Sequence, residues 1–177
     1  MPVGWFFMKD YQKERILTVF DPERDPSGIG YQVRQSKIAI GSGQVTGRGD
    51  RATQTRLEFV PERHTDFIFA VIGERYGFIG AAFVLSLYAL LIWRALRIVT
   101  LSKNSYGTLV AGGIAAMLLF QVFVNVGMNL GIMPITGIPL PLLSYGGSSV
   151  LATLLALGVL QSIHMQARLS QRGRFAW

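Results

Sequence analysis

The chain has 177 residues, no cysteine, 50% hydrophobic residues, a mean hydropathy of +0.38 and a formal net charge of +7. Only 15% of its residues are charged, against about a quarter in soluble domains, and Asn104 to Ala167 contains no formally charged side chain. Such a stretch cannot coat a soluble surface. This excludes a simple globular domain, a disordered tail and a nucleic-acid module, and leaves an all-α polytopic membrane protein.

The positive balance is local. Residues 1–63 hold ten Lys/Arg and eight Asp/Glu, so they are nearly neutral. The surplus comes from two acid-free segments, one with Arg94, Arg97 and Lys103, the other with Arg168, Arg172 and Arg174. Short basic segments beside apolar ones mark the cytoplasmic side of a membrane protein, and they point away from nucleic acid as a partner.

In chain order, residues 1–8 are apolar and stop at Lys9, too short to span alone; they are expected to be the end of a transmembrane helix. Residues 9–66 are predicted as a large extracytoplasmic loop, whose Asp-Pro pairs and glycines favour turns over long helices. Within it, Tyr31 to Ile40 has a periodicity compatible with either a short strand or a helix. Residues 67–93 are the first complete span, interrupted only by Glu74 and Arg75. Residues 94–106 are a cytoplasmic loop, and 107–133, entirely uncharged, are the second span. The loop 134–147 begins with Pro134, Pro139 and Pro141, which forbid a regular helix there. Residues 148–164 form the third span, and 165–177 a basic tail that puts the C-terminus in the cytoplasm.

Several side chains stand out against this background. Gln121, Asn125 and Asn129 recur every fourth residue and form one stripe on the second span. Such amides act as interhelical glue or line a wet cavity. Gly127 and Gly131 have the small-xxx-small spacing of close helix contact. Glu74 and Arg75 are adjacent, so they do not face each other along a helix, and each needs a partner elsewhere. Asp66 follows Pro61-Glu62-Arg63-His64-Thr65 directly before the first span. Thr65 or Asp66 suits a helix N-cap, and Asp66 equally suits a general base in a desolvated, cation-lined site. Glu62 and His64 beside Asp66 form a weak metal-ligand set. The run Gly41 to Gly49 matches no nucleotide-binding loop; with Lys37, Arg48 and Arg51 nearby it is a surface turn or a turn beside an anionic ligand.

Three runs in this chain carry a resemblance: Asp21-Pro-Glu-Arg-Asp-Pro26 with the Gln35-Ser-Lys-Ile-Ala-Ile-Gly-Ser-Gly43 stretch, Leu57 to Ala70, and Gly137-Ile-Pro-Leu-Pro-Leu-Leu-Ser-Tyr-Gly-Gly-Ser-Ser149. In order and over nearly the whole chain, they resemble the SEDS (shape, elongation, division, sporulation) family, its elongation branch more than its division branch. Gln44 stands where glycine is common, and Arg75 where many members have a second acid. The family has about ten spanning helices, and this chain resembles the C-terminal portion: three complete helices, the end of a fourth and the large outer loop. A chain of this length is therefore not expected to form a complete active site alone.

The resemblance implies a peptidoglycan glycosyltransferase of the bacterial cytoplasmic membrane that polymerises lipid II. Asp66 maps onto the family's essential outer-loop aspartate and would be the general base. Lys37, Arg48 and Arg63, or a divalent cation (Mg or Mn), would neutralise the departing pyrophosphate; Ser144, Tyr145 and Ser148 would shape the outer cavity. A class B penicillin-binding transpeptidase is the implied partner. Two alternatives remain at this point: a flippase of lipid-linked precursors, and a nonenzymatic scaffold for a transpeptidase.

Overall fold

A computed structural model describes residues 29–52, 66–102 and 104–172. The expected helix end at 1–8, the Asp21–Pro26 run and Glu62, Arg63 and His64 lie outside the described residues. Among the described residues every regular element is helical, as the sequence predicts. Helix α1 spans Ile29–Ser42, a 3-10 turn covers Gly49–Arg51, α2 spans Ile68–Leu101, α3 Ser105–Asn129 and α4 Gly147–Arg172. Helices α2, α3 and α4 are each long and apolar enough to cross a membrane.

The ambiguous Tyr31–Ile40 stretch is helical. Val33, Ser36 and Ala39 are buried on one α1 face, the three-residue spacing of a helix stripe. Val33 and Ala39 pack with Phe67, Ala70, Met128 and Ile135, so α1 lies against the start of α2 and the end of α3. Midway along, Phe69, Tyr88, Val122 and Leu140 form a second cluster. At the far end Ala95, Ala111, Ala115 and Leu160 form a third, where small side chains let helix backbones approach closely. Helix α2 packs mainly on α3 and α1, and α4 touches α2 and α3 more lightly. The outward faces stay apolar, with Leu109 75% and Leu155 72% exposed, the surface expected of helices surrounded by lipid or further helices.

Helix boundaries differ from the spans expected from hydropathy. Helix α2 runs past Trp93 to Leu101, so Arg94 and Arg97 ride on its last turns rather than in a loop. Helix α4 likewise continues beyond His164 to Arg172. Helix α3 stops at Asn129, before Met133, and hands Leu130–Met133 to the following loop. Charge and polarity set a hydropathy boundary, whereas a helix ends where its backbone bonds are diverted.

The larger surprise is a break within α2 at Gly77, whose φ of 65° and ψ of −161° are non-helical. A break strands backbone donors and acceptors. The glycine-rich turn after α1 takes them up. Gln44 O accepts from Phe78 N at 2.8 Å, Val45 O accepts from Ile79 N at 3.1 Å, and Arg48 N donates to Glu74 O at 2.9 Å. Gln44 itself has a φ of 48°, a conformation glycine adopts more readily, which is a physical reason for glycine at that position. A methyl group at Gly77 would collide with Gly47 N and Val45 O. Beyond the break, Phe78 to Leu101 reaches roughly 36 Å at 1.5 Å per residue, enough for the hydrocarbon core.

The break also resolves the two ionisable groups. Glu74 and Arg75 lie before Gly77, outside the long apolar segment. Glu74 is fully buried beneath the glycine turn. Arg75 is exposed and pairs with Asp50 at 3.3 Å, so its partner comes from the turn Gly49–Arg51 of this chain and not from another spanning helix.

Gly77→Ala is expected to lower stability by about 3 kcal/mol or more, through forced φ and the steric clash. Gly112→Ala, in α3 with open space around it, should stabilise by about 0.5–1 kcal/mol. Denaturation of both variants by sodium dodecyl sulfate in mixed micelles checks the contrast.

Candidate functional site

The polar stripe on α3 converges on Asp66. Asn125 Nδ2 donates to the Asp66 carbonyl at 3.0 Å and to the Ile138 carbonyl at 2.8 Å. Asn129 Nδ2 donates to the same Asp66 carbonyl at 3.1 Å and to Asn125 O at 2.8 Å. Its Oδ1 accepts from Ala70 N at 3.2 Å and from Ser36 Oγ at 3.3 Å, and Ser36 Oγ also donates to Asn129 O at 2.8 Å. Asn125, Asn129 and Ser36 are all fully buried. Two amides thus hold one backbone carbonyl and join α1, α2, α3 and the 134–147 loop.

This arrangement replaces the expected cap. The N-cap residue of α2 is Phe67, with no side-chain cap bond, rather than Thr65 or Asp66. In the first turn Ala70 N donates to Phe67 O at 3.0 Å and also to Asn129 Oδ1 at 3.2 Å, a second acceptor reached across the helix pair. Of the stripe, Asn125 and Asn129 are glue in the literal sense. Gln121 is different, because its buried Oε1 meets no partner among the described residues.

The Asp66 side chain is partly buried and lies against the proline-rich loop: a methyl group at Gly137 would sit 3.6 Å from Asp66 Oδ2. Lys37 comes to the same loop from α1, and a methyl group at Gly131 would collide with its Cε and Nζ. Gly131 has a φ of 68°. It closes α3 in a Schellman motif, with Ile132 N donating to Gly127 O at 2.9 Å and Gly131 N to Met128 O at 3.0 Å. The Gly127/Gly131 spacing therefore marks a helix terminus that makes room for Lys37. The structure brings Asp66 and Lys37 to one corner.

The other expected residues divide. Ser144 is buried; its Oγ accepts from Leu140 N at 2.7 Å, and its own N–H donates back to Leu140 O at 3.0 Å. It holds the turn that contains Leu142 at a φ of 65°, and Tyr88 OH donates to Pro141 O beside it. Tyr145, 83% exposed, and Ser148 lie on the surface at the start of α4. Arg48 is exposed, with Nε donating to Ser42 O at 3.1 Å, near the α2 break. Sequence reasoning missed Ser36 and Tyr88. Ser36 sits inside the Gln-Ser-Lys run and Tyr88 on an otherwise apolar span, which are the signals that could have singled them out.

For a divalent cation, the described residues do not supply a donor set: among them no three His, Cys, Asp or Glu side chains come together. Two of the expected ligands, Glu62 and His64, lie outside the described residues.

Three helices long and apolar enough to cross a membrane, with a buried polar clamp at one end, define a multi-pass helical membrane protein. The chain belongs to the FtsW/RodA/SpoVE cell cycle protein family, whose pattern matches residues 1–169. It is 49% identical over 171 residues to peptidoglycan glycosyltransferase MrdB of Escherichia coli K12, covering 96% of this chain and 46% of that protein. It is 47% identical over 163 residues to peptidoglycan glycosyltransferase RodA of Treponema pallidum, covering 92% and 38% respectively. Among solved structures, a chain of a peptidoglycan synthase complex that coordinates polymerization and crosslinking matches with a TM-score of 0.73 at 39% identity, over 93% of this chain and 45% of that one. An aspartate-to-alanine mutant of Thermus thermophilus rod shape determining protein RodA matches with a TM-score of 0.57 at 45% identity, over 60% and 36%. The chain thus spans about half the length of the curated relatives it matches.

Replacing Asn129 by leucine removes the amide bonds to the Asp66 and Asn125 carbonyls and takes from Ala70 N one of its two acceptors, leaving Phe67 O. Asn129→Leu is expected to cost about 3 kcal/mol, whereas Gln121→Leu should stay within about 1 kcal/mol. Unfolding in mixed micelles measures both.

Proposed function

We infer that this chain supplies the outer catalytic corner of a peptidoglycan glycosyltransferase that polymerises lipid II during cell elongation. The observation that carries this reading is the carboxylate-bearing residue whose backbone is clamped by two buried amides beside Lys37, in a chain whose relatives are named for that activity.

In the proposed step the Asp66 carboxylate takes the proton from the 4-hydroxyl of the acceptor sugar. That oxygen attacks the anomeric carbon of the donor while the bond to pyrophosphate breaks. The lipid pyrophosphate leaves with the bonding electrons, and the anomeric configuration inverts. General-base assistance of this kind contributes about 10²–10⁴-fold. Partial burial of Asp66 removes some of the water that would compete for its lone pairs. Negative charge on the departing pyrophosphate calls for nearby cations: Lys37, with Arg48 and Arg63 as further contributors. A divalent cation would neutralise the same charge if one bound there. Ser144 would act by holding the wall of the cavity, Tyr145 and Ser148 by facing the substrate.

The reading places the protein in the bacterial cytoplasmic membrane. The basic end that carries Arg94, Arg97 and Arg168 would face the cytoplasm, together with the C-terminus, and Asp66 the outside. A class B penicillin-binding transpeptidase is the proposed partner, supported by the likeness to a chain of a peptidoglycan synthase complex. A broken helix also suits a transporter. Here, however, backbone groups flanking the Gly77 break bond to the glycine turn rather than line a cavity, which favours the polymerase.

The test is a chimera in which this chain replaces the matching portion of the Escherichia coli relative. In detergent, where membrane sidedness is lost, it should polymerise lipid II, and Asp66→Asn should lower the rate about 10²–10⁴-fold. A chimera without polymerase activity would favour the flippase or the scaffold; an Asp66→Asn chimera at the full rate would remove Asp66 from the mechanism.

A further inference from the structure

At the opposite end of the bundle from Asp66, α2 and α4 enclose a cleft of about 240 Å³ lined by Arg94, Arg97, Leu101, His164, Ala167 and Arg168. The basic side chains are paired by spacing: Arg94 and Arg97 are three apart on α2, the His164 imidazole and Arg168 four apart on α4, so each pair shares a helix face. No acid follows Glu74 anywhere in the sequence, and none of the three arginines meets an acid among the described residues. Three guanidinium groups around one cleft repel one another unless an anion joins them.

Two further observations narrow the anion. His164 is 7% exposed, and its Nδ1 has no hydrogen-bond partner among the described residues. Buried polar atoms in native proteins are nearly always satisfied, so this one awaits a polar group inside the cleft. Sharing Ala167 with the cleft is a second cavity of about 510 Å³ between α3 and α4, whose walls combine apolar Val110, Val159 and Ile163 with polar Ser102, Asn104, Ser162 and Gln166. An anionic head and an apolar tail would therefore be accommodated side by side. Guanidinium forks match phosphate oxygens in shape and charge, and basic pockets between spanning helices are suited to anionic headgroups.

We propose that this cleft binds the phosphate headgroup of one anionic phospholipid from the leaflet at the basic end of the bundle, with an acyl chain in the adjoining cavity. Arg94, Arg97 and Arg168 contact the phosphate oxygens, and His164 donates from Nδ1. Neither the site nor its ligand depends on the identity of the reaction at Asp66.

The 177-residue chain, reconstituted in an equal mixture of phosphatidylglycerol and phosphatidylcholine, is taken into mild detergent and examined by native mass spectrometry. One phosphatidylglycerol should remain bound and phosphatidylcholine should not. Arg97→Gln/Arg168→Gln should weaken retention about thirtyfold, while Arg97→Lys/Arg168→Lys should retain more than the glutamine pair. Val159→Trp, which fills the adjoining cavity, should also reduce lipid retention. Millimolar inorganic phosphate should not displace the lipid; if it does, the cleft is a free-phosphate site and the lipid assignment falls. Equal retention of the two phospholipids by the unaltered chain overturns the proposal, even where a variant fails to fold.

Discussion

One amide nitrogen, Asn125 Nδ2, bridges the carbonyl of Asp66 and the carbonyl of Ile138. Without that bridge the Ile138 carbonyl would lose its amide donor in a region sheltered from water, a costly change, and the Asp66 carbonyl would be held by Asn129 alone. Asn129 doubles the grip on Asp66 and uses its oxygen for Ala70 N and Ser36 Oγ. Every element around this corner is therefore positioned relative to α3. The side chain of Asp66 inherits that position, because its own backbone is what the amides hold.

The break at Gly77 extends the same logic to the glycine-rich turn after α1. A continuous helix from Ile68 to Leu101 would satisfy its own backbone and have no need of the glycine turn. Interrupting it creates acceptors and donors that Gln44, Val45 and Arg48 meet through their main chains. Backbone pairing of this kind depends on conformation more than on side-chain identity, which is why a glutamine can stand at Gln44 with a φ of 48°. The turn ties α1, and with it Lys37, to α2. The corner that holds Asp66 and Lys37 is thus braced from two directions, by amides from α3 and by main-chain bonds across the break.

The sequence made α3 and α4 legible because a 64-residue uncharged stretch leaves few other solutions, and α2 legible because Tyr76 to Trp93 is predominantly apolar and uncharged throughout. It also made the Gln121/Asn125/Asn129 stripe legible as a face, since every fourth residue returns to one side of a helix. Periodicity names a face but not its partners, so the carbonyl of Asp66 could not be foreseen. Nor could the difference between the two asparagines and Gln121, whose Oε1 has no such partner among the described residues. Gly77 was hidden for a related reason: isolated glycines are tolerated in apolar spans, and only the pairing with residues 44–48 shows that this one interrupts the helix. Gly131 was visible as a small residue at a helix-packing spacing, yet its positive φ and its neighbour Lys37 depend on where α3 ends. Arg75 lacked a visible partner because Asp50 is 25 residues away across the glycine turn.

Under the proposed function, Asn125 is a positioning residue that acts through Asp66. The most direct test is a double-mutant cycle on lipid II polymerisation by the chimeric enzyme, combining Asn125→Ala with Asp66→Asn. Asn125→Ala alone should slow turnover about tenfold, yet add less than about twofold once the carboxylate is gone, because residues that work as a unit are non-additive. Equal factors in both backgrounds would show that Asn125 acts independently of Asp66 and would contradict the account.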